Sequence, residues 1–425
     1  MQARFGTLAA VACIVACGGG DEDGRQVITF PASAVGAEAE LLQEQLERFM
    51  LERPDVRIVR RETPDAADQR HQLYVQWLNA RASDPDILQL DVIWTPEFAA
   101  AGWILPLDAF APPVSEYFPA TVAANRWDGA LYALPWFVDV GMLYWRTDLF
   151  ERPPASLEEL SRAAARSRSD GTRYGMVWQG ARYEGLVTVF LEHLGAFGGQ
   201  IMDADGRVVV DSNAAVRALR FMADEIYETG NVPRAALTWQ EEQTRFVFQN
   251  GQAAFMRNWP YAYPLLRDSA ASRVAGRFAV APMPAAPEGE PTATLGGSQL
   301  AINANTENPE AAYAVIEYLT RPEQMLERAR VVGQYPTRPA LYGRPELARG
   351  LSVPPDRARR IIERAVPRPV TPVYTQLSQL LQIRLHRALT GQQEPRAALE
   401  AAAAEMRALL EKVGLAPGES AGARR

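Results

Sequence analysis

Residues 249–266 read QNGQAAFMRNWPYAYPLL and set Trp259, Tyr261 and Tyr263 around Pro260 and Pro264. Proline lacks a backbone N–H and fixes φ, so this segment reads as a turn or helix entry that holds rings. Rings at a turn either fill a core or form a platform. Isolated Asp, Glu, Arg and Gln residues lie near other aromatic turns, and this pairing suits an uncharged polyhydroxy ligand. Its C–H faces would pack on indole and phenol, and its hydroxyls would bond carboxylate or guanidinium. Other chemistries lack their parts. The three histidines, His71, His193 and His386, form no HExxH and no ligand-like spacing. No GxxxxGK[ST] loop is present, and no GxGxxG follows a strand. No metal or cofactor is expected. The many carboxylates keep glycoside hydrolysis open, since that chemistry needs only two facing carboxyl groups.

Alternating short apolar runs and amphipathic stretches must position these residues. QVITF is a strand, AEAELLQEQLERFMLERP a helix stopped by Pro54, VRIVRRE a strand and RHQLYVQWLNARAS a helix. ILQLDVIWT is an almost continuous apolar run, as a buried parallel strand would be. The order β-α-β-α-β predicts an α/β lobe with a parallel sheet, whose ligand edge would carry Asp91, Trp94 and Glu97. Residues 129–150 are strand-rich. SLEELSRAAARSRSDG is a helix with Ser156 as N-cap and Glu159 placed for a capping box. Residues 277–303 put proline and glycine between two β-like runs, as a crossing would, and the chain closes on an alanine-rich helix ending at Gly414.

The 425 residues suffice for two domains, and 48% hydrophobic content supports real cores. A net charge of -7 leaves no cationic excess for a phosphate backbone, which excludes nucleic acid as the expected partner. The N-terminus carries Arg4, a short apolar run from Phe5 to Ala16, and then GGGDEDG after Cys17. This is a secretion signal, too short to span a bilayer stably, followed by a tether over 18–26. IVAC resembles a bacterial lipobox, so Cys17 is the expected lipidation site; an ordinary cleaved signal peptide is the alternative. Both cysteines, Cys13 and Cys17, lie in this segment, leaving the folded part without thiol or disulfide.

In order along the chain, DVIWTPEFAAAGWILPLD, ALPWFVDVGMLYWRTDLF, VWQGARYEGL, FQNGQAAFMRNWPYAY, LGGSQLAIN, GQYPTRPALY and RPVTPVYTQLSQLLQ resemble the extracellular solute-binding proteins of ABC sugar importers. The resemblance is closest to the trehalose/maltose-binding branch and spans roughly residues 27–412. It implies a two-lobe, type II-like periplasmic-binding-protein fold with hinge crossings near 138, 285 and 331. One lobe would then be 27–137 and 286–331, the other 138–285 and 332–425. It implies capture of a neutral sugar such as trehalose or maltose by hinge closure, and delivery to the permease transmembrane subunits. The protein would be an extracytoplasmic, membrane-anchored monomer without catalysis. Position by position it implies ligand contacts at Asp91, Asp139, Trp259, Tyr261, Gly297 and Arg368. Glu38 also matches, in the loop after the first strand, where Glu40 competes for the role. Tyr263 is left as packing. Phe137 departs from relatives with a tyrosine there. A secreted glycosidase, or the same scaffold with a polyol or oligosaccharide, remain the alternatives.

Overall fold

The computed structural model describes residues 24–32, 37–64 and 66–417. Cys17, the signal segment and most of the tether lie outside them. The first lobe starts with β1 (Gln26–Ala32), α1 (Glu38–Glu52), β2 (Val56–Glu62), α2 (Ala67–Asn79), β3 (Ile87–Asp91) and α3 (Thr95–Ala100). It continues through α4 (Pro119–Ala123), β4 (Arg126–Trp127), β5 (Ala130–Leu131) and β6 (Ala133–Val140). The chain then builds a second lobe from β7 (Met142–Arg146), α5 (Leu157–Ser169), β8 (Tyr174–Val177), α6 (Glu184–Ala196) and α7 (Asn213–Tyr227). To these it adds α8 (Glu241–Gln249), β9 (Ala253–Asn258), α9 (Ala262–Arg267) and β10 (Phe278–Pro282). It returns through β11 (Leu295–Ile302), α10 (Pro309–Leu319), α11 (Pro322–Val332) and β12 (Tyr335–Pro336), and ends with α12 (Pro355–Arg364), α13 (Tyr374–Leu389) and α14 (Pro395–Lys412).

Each lobe has its own sheet, in the order β12-β6-β11-β3 for the first and β10-β7-β9-β8 for the second. The parallel sheet expected for the first lobe is corrected: β1–β2 is parallel, but β12–β6, β6–β11 and β11–β3 are antiparallel, and in the second lobe only β8–β9 is parallel. The reason is the late strand β11, which returns to the first lobe and inserts between β3 and β6. The β1–β2 pair joins beside β3, where the Asp86 N–H donates to the Thr29 carbonyl at 3.1 Å and the Asp86 carboxylate accepts from the Thr29 N–H at 2.7 Å.

The apolar run after Ile87 is also shorter as a strand than expected. Asp91 closes a turn, accepting the Ile93 N–H on its side chain at 3.3 Å and the Trp94 N–H on its carbonyl at 3.0 Å. Val92, Ile93 and Trp94 are buried beneath that turn, outside the strand. Ser156 caps α5 by accepting the Glu159 N–H, but the Glu159 carboxylate takes the Ala155 N–H at 2.9 Å instead of closing the box on Ser156.

In the second lobe α6 is buried on almost every side, as an all-round apolar helix must be; α7 and α13 pack against it, and α14 packs on α7 and α13. The sheets exchange at Gly141, so the crossing expected at 138 falls within β6. Tyr335 and Pro336, expected in the second lobe, pair with Val138 and Phe137 of β6. A cluster of Val140, Met142, Tyr144, Met256, Leu295 and Tyr335 straddles this exchange and packs both sheets on one apolar joint.

Candidate functional site

The two sheets point strand ends and helix starts at one cleft of about 290 Å³. The first lobe supplies carboxylates and backbone. Asp91 ends β3 and sits opposite Ser298 of β11, while Asp139 near the end of β6 sits opposite Gly296. Gly297 lies between them at φ +120°, where a side chain would strike the Phe137 carbonyl, so glycine alone lets β6 approach β11 this closely. The ladder slips beside it, between Ser298 and Gln299. Glu38 opens α1 instead of lying in a loop; it is buried on the cleft and accepts from Gln334, whereas Glu40 is exposed.

The second lobe supplies rings. After β9 the Trp259 carbonyl accepts the Tyr144 hydroxyl at 2.7 Å and the Trp259 N–H bonds the Asn258 side chain, fixing the turn. The Trp259 indole N–H donates to Glu241 at 3.4 Å, and the Tyr261 hydroxyl donates to Glu242 at 2.8 Å. Glu241 and Glu242 start α8, where Gln240 and Gln243 form a capping box and acidic side chains suit the helix N-terminus. Tyr263 and Pro264 fall in the first turn of α9, where the missing proline N–H costs no helical bond. Tyr263 packs edge-on against Phe278, away from the cleft.

Arg368 joins the two walls. It donates to Asp91 of the first lobe at 3.1 Å and to Glu184, at the start of α6, at 2.9 Å. Glu184 also accepts from the Tyr374 and Ser378 hydroxyls. Burial pushes the Glu184 carboxyl up, against the pull of Arg368 and Ser378. The guanidinium of Arg368 is held well above its usual range because the charges of Asp91 and Glu184 outweigh its burial.

Asp139 is the exception to this pairing. Its Oδ1 is buried without a hydrogen-bond partner. Burial, with the nearby charges of Glu38 and Asp91, pushes its carboxyl up to about 8, against Arg257 and Arg328.

All seven expected contacts, Glu38, Asp91, Asp139, Trp259, Tyr261, Gly297 and Arg368, line this one cleft. Trp94 and Glu97, expected at the same sheet edge, do not. Trp94 is core, and Glu97 bonds His71 at 3.0 Å and Thr375 at 2.7 Å. Sequence reasoning did not single out Arg70, Tyr183, Glu184, Glu241 and Glu242, which also line it. The signals were present: RYEG begins a helix after a strand, and WQEEQ carries its own cap beside NWPYAY. Among the described residues no cluster of His, Cys, Asp and Glu could hold a metal ion, and no helix is long and apolar enough to cross a membrane.

A family model for the bacterial extracellular solute-binding proteins matches residues 36–326. A probable ABC transporter-binding protein of Deinococcus radiodurans is 37% identical over 353 residues, 80% of this chain and 83% of that one. Among solved structures, maltose-bound MalE3 of T. maritima is 41% identical with a TM-score of 0.86, covering 90% of this chain and 100% of that one. A solute-binding protein of Thermotoga lettingae bound with α-D-tagatose is 25% identical with a TM-score of 0.81, covering 91% and 100%.

Proposed function

The chain belongs to the bacterial extracellular solute-binding proteins and serves an ABC sugar transporter, and from that premise we propose that its cleft encloses a neutral α-linked disaccharide such as maltose or trehalose. The observation that carries this reading is the facing of Trp259 and Tyr261 on one wall by Asp91, Asp139 and Glu38 on the other. A pyranose slab between them would stack on the indole and give its hydroxyls to the carboxylates. Ligand touching both walls stabilises the closed state, so capture is hinge closure. The lobes we assign follow the two sheets, with crossings at Gly141, through 283–294 and after α12. The loaded monomer then presents its closed shape to the permease.

The relative bound with tagatose makes a monosaccharide the competing ligand on the same scaffold. Calorimetric titration with maltose, trehalose and tagatose, beside native mass spectrometry of the freshly purified protein, tests the reading. Binding of a disaccharide supports it; binding of tagatose alone overturns the disaccharide. The family and its relatives are solute-binding proteins rather than enzymes. Asp139, with its raised carboxyl beside Asp91, is the feature a hydrolase would use. Intact maltose after incubation with stoichiometric protein is expected, and sustained glucose release lost in Asp139→Asn would install the hydrolase instead. We assign Cys17 as the lipid anchor; Cys17→Ser should move the protein from the membrane fraction to the soluble one.

A further inference from the structure

Beneath Trp259 lies a buried ion pair whose two residues do not themselves line the cleft. Arg257, in β9, and Glu192, in α6, are both fully buried. The Arg257 Nε donates to Glu192 Oε2 at 2.8 Å, its Nη2 donates to Glu192 Oε1, and its Nη1 donates to Gln179 at 3.2 Å. Locked on three sides, the guanidinium carbon stands 3.8 Å from the centroid of the Trp259 ring, at cation–π distance. The ring so backed lines the cleft.

The same pair also reaches the places where the chain changes sheets. Gly141 is the single residue between β6 and β7, and a side chain there would overlap Glu192 Oε1 and Arg257 Nη2. Thr294 immediately precedes β11; its N–H donates to Glu192 Oε1 at 3.4 Å and its hydroxyl donates to the Thr188 carbonyl at 2.9 Å. One carboxylate thus meets two of the three crossings, and the cation it holds underlies the ring platform. A buried pair is seldom retained for stability alone, since apolar residues of similar volume pack as well or better.

We propose that the Glu192–Arg257 pair is a positioning device that fixes the indole of Trp259 to the crossings at Gly141 and Thr294, so that stacking of ligand on the ring and hinge closure are one event. The proposal rests on the reading of the cleft as a sugar site with Trp259 as its platform. Neither residue touches the ligand; both act through Trp259.

The test is a double-mutant cycle read by maltose calorimetry, with small-angle scattering at saturating maltose. Glu192→Gln is expected to weaken binding at least about tenfold in the wild-type background, and by less than about twofold when Trp259→Ala is already present, because only coupled residues depart from additivity. The paired replacement Glu192→Leu/Arg257→Met guards against misfolding. It removes both charges together, so the empty protein should keep its melting temperature, yet it should show the same loss of affinity and a smaller maltose-induced contraction. Equal losses in both Trp259 backgrounds, or a paired variant that binds and contracts like wild type, overturns the proposal. Wild-type protein that binds no sugar overturns the cleft reading first, and the titration without substitutions separates the two failures.

Discussion

The two walls of the cleft differ in how far each is prepared for the proposed ligand. On the second wall each ring is tied from behind: Trp259 by Arg257, Glu241 and Tyr144, and Tyr261 by Glu242, itself paired with Arg245. On the first wall Asp139 reaches the cleft with a buried oxygen that nothing bonds, and Asp91 is held chiefly by a cation that also belongs to the other lobe. A flat ring needs a fixed platform to gain contact area. A carboxylate that must take hydroxyl protons has to keep acceptor positions open. The second wall is therefore prepared in the empty protein, and the first would be completed by the proposed ligand.

Arg368 is where the two walls stop being separate, so its loss should have the largest effect. Arg368→Ala leaves Asp91 and Glu184 without their cation, and breaking a buried pair on one side costs about 3–5 kcal/mol. Urea unfolding of the empty protein should show a deficit of that order. Protonation relieves an uncompensated carboxylate, so the deficit should be larger at pH 8 than at pH 5. A deficit that does not change with pH would mean that Arg368 packs without neutralising.

Trp259→Ala breaks the prepared wall while leaving the hydroxyl partners of the other in place. Losing a large aromatic contact should weaken disaccharide binding at least about a hundredfold, since each 1.4 kcal/mol is a factor of ten. The residue is partly buried, so the empty form should lose some melting temperature too. Near-normal affinity with a severely lowered melting point would return this ring to the core and erase the contrast between the walls.

The prepared wall was also the more legible one. Rings bracketed by prolines are a local pattern, and NWPYAY could be read from its own six residues as a turn that holds rings, core or platform, with the family resemblance deciding for the platform. The first wall could not be read that way, because Asp91, Asp139 and Gly297 meet only when β11 returns from about two hundred residues later to lie between β3 and β6. The strand pattern already put Asp91 at a ligand edge, but only family resemblance supplied Asp139 and Gly297. ILQLDVIWT misled because an apolar run looks alike whether it stays in a strand or turns at an Asx residue and remains buried. The partners of Arg257 and Arg368 were invisible for the same reason as β11: Glu192 and Glu184 lie 65 and 184 positions away. Charged residues inside an otherwise apolar helix such as α6 are the one trace they leave.

Asp139→Asn sharpens the other side of the comparison. In the folded empty protein the carboxyl is pushed up to about 8, against an ordinary value of 3.8 for the unfolded chain. Between those values the folded state holds a proton that unfolding releases. Its contribution to stability is therefore full below about pH 4, declines as pH rises and is gone above about pH 8. The amide does not titrate, so the melting temperature of the variant should fall less between pH 5 and pH 9 than that of wild type. Glu184, raised in the same direction, keeps part of the slope in both proteins. Parallel profiles would mean that Asp139 is ionised in the empty cleft.

The smallest effect should come from Tyr261→Phe, which keeps the ring of the prepared wall and removes only its tie. The lost bond runs to Glu242 at 2.8 Å, and a hydrogen bond to a charged group contributes about 1.5–3 kcal/mol. Glu242 keeps Arg245 and stays partly open to water, so the low end of that range applies to stability. Burial and the neighbouring Glu242 and Glu241 charges hold the Tyr261 phenol well above its usual range, so it stays a donor throughout neutral pH. The difference between variant and wild type should accordingly be constant from pH 6 to pH 9. If the ring alone faces the sugar, affinity should change by no more than about threefold, less than one factor of ten per 1.4 kcal/mol. A loss beyond tenfold, with the melting temperature unchanged, would show the hydroxyl turning from Glu242 to the ligand. The second wall would then share the first wall's dependence on ligand for its completion.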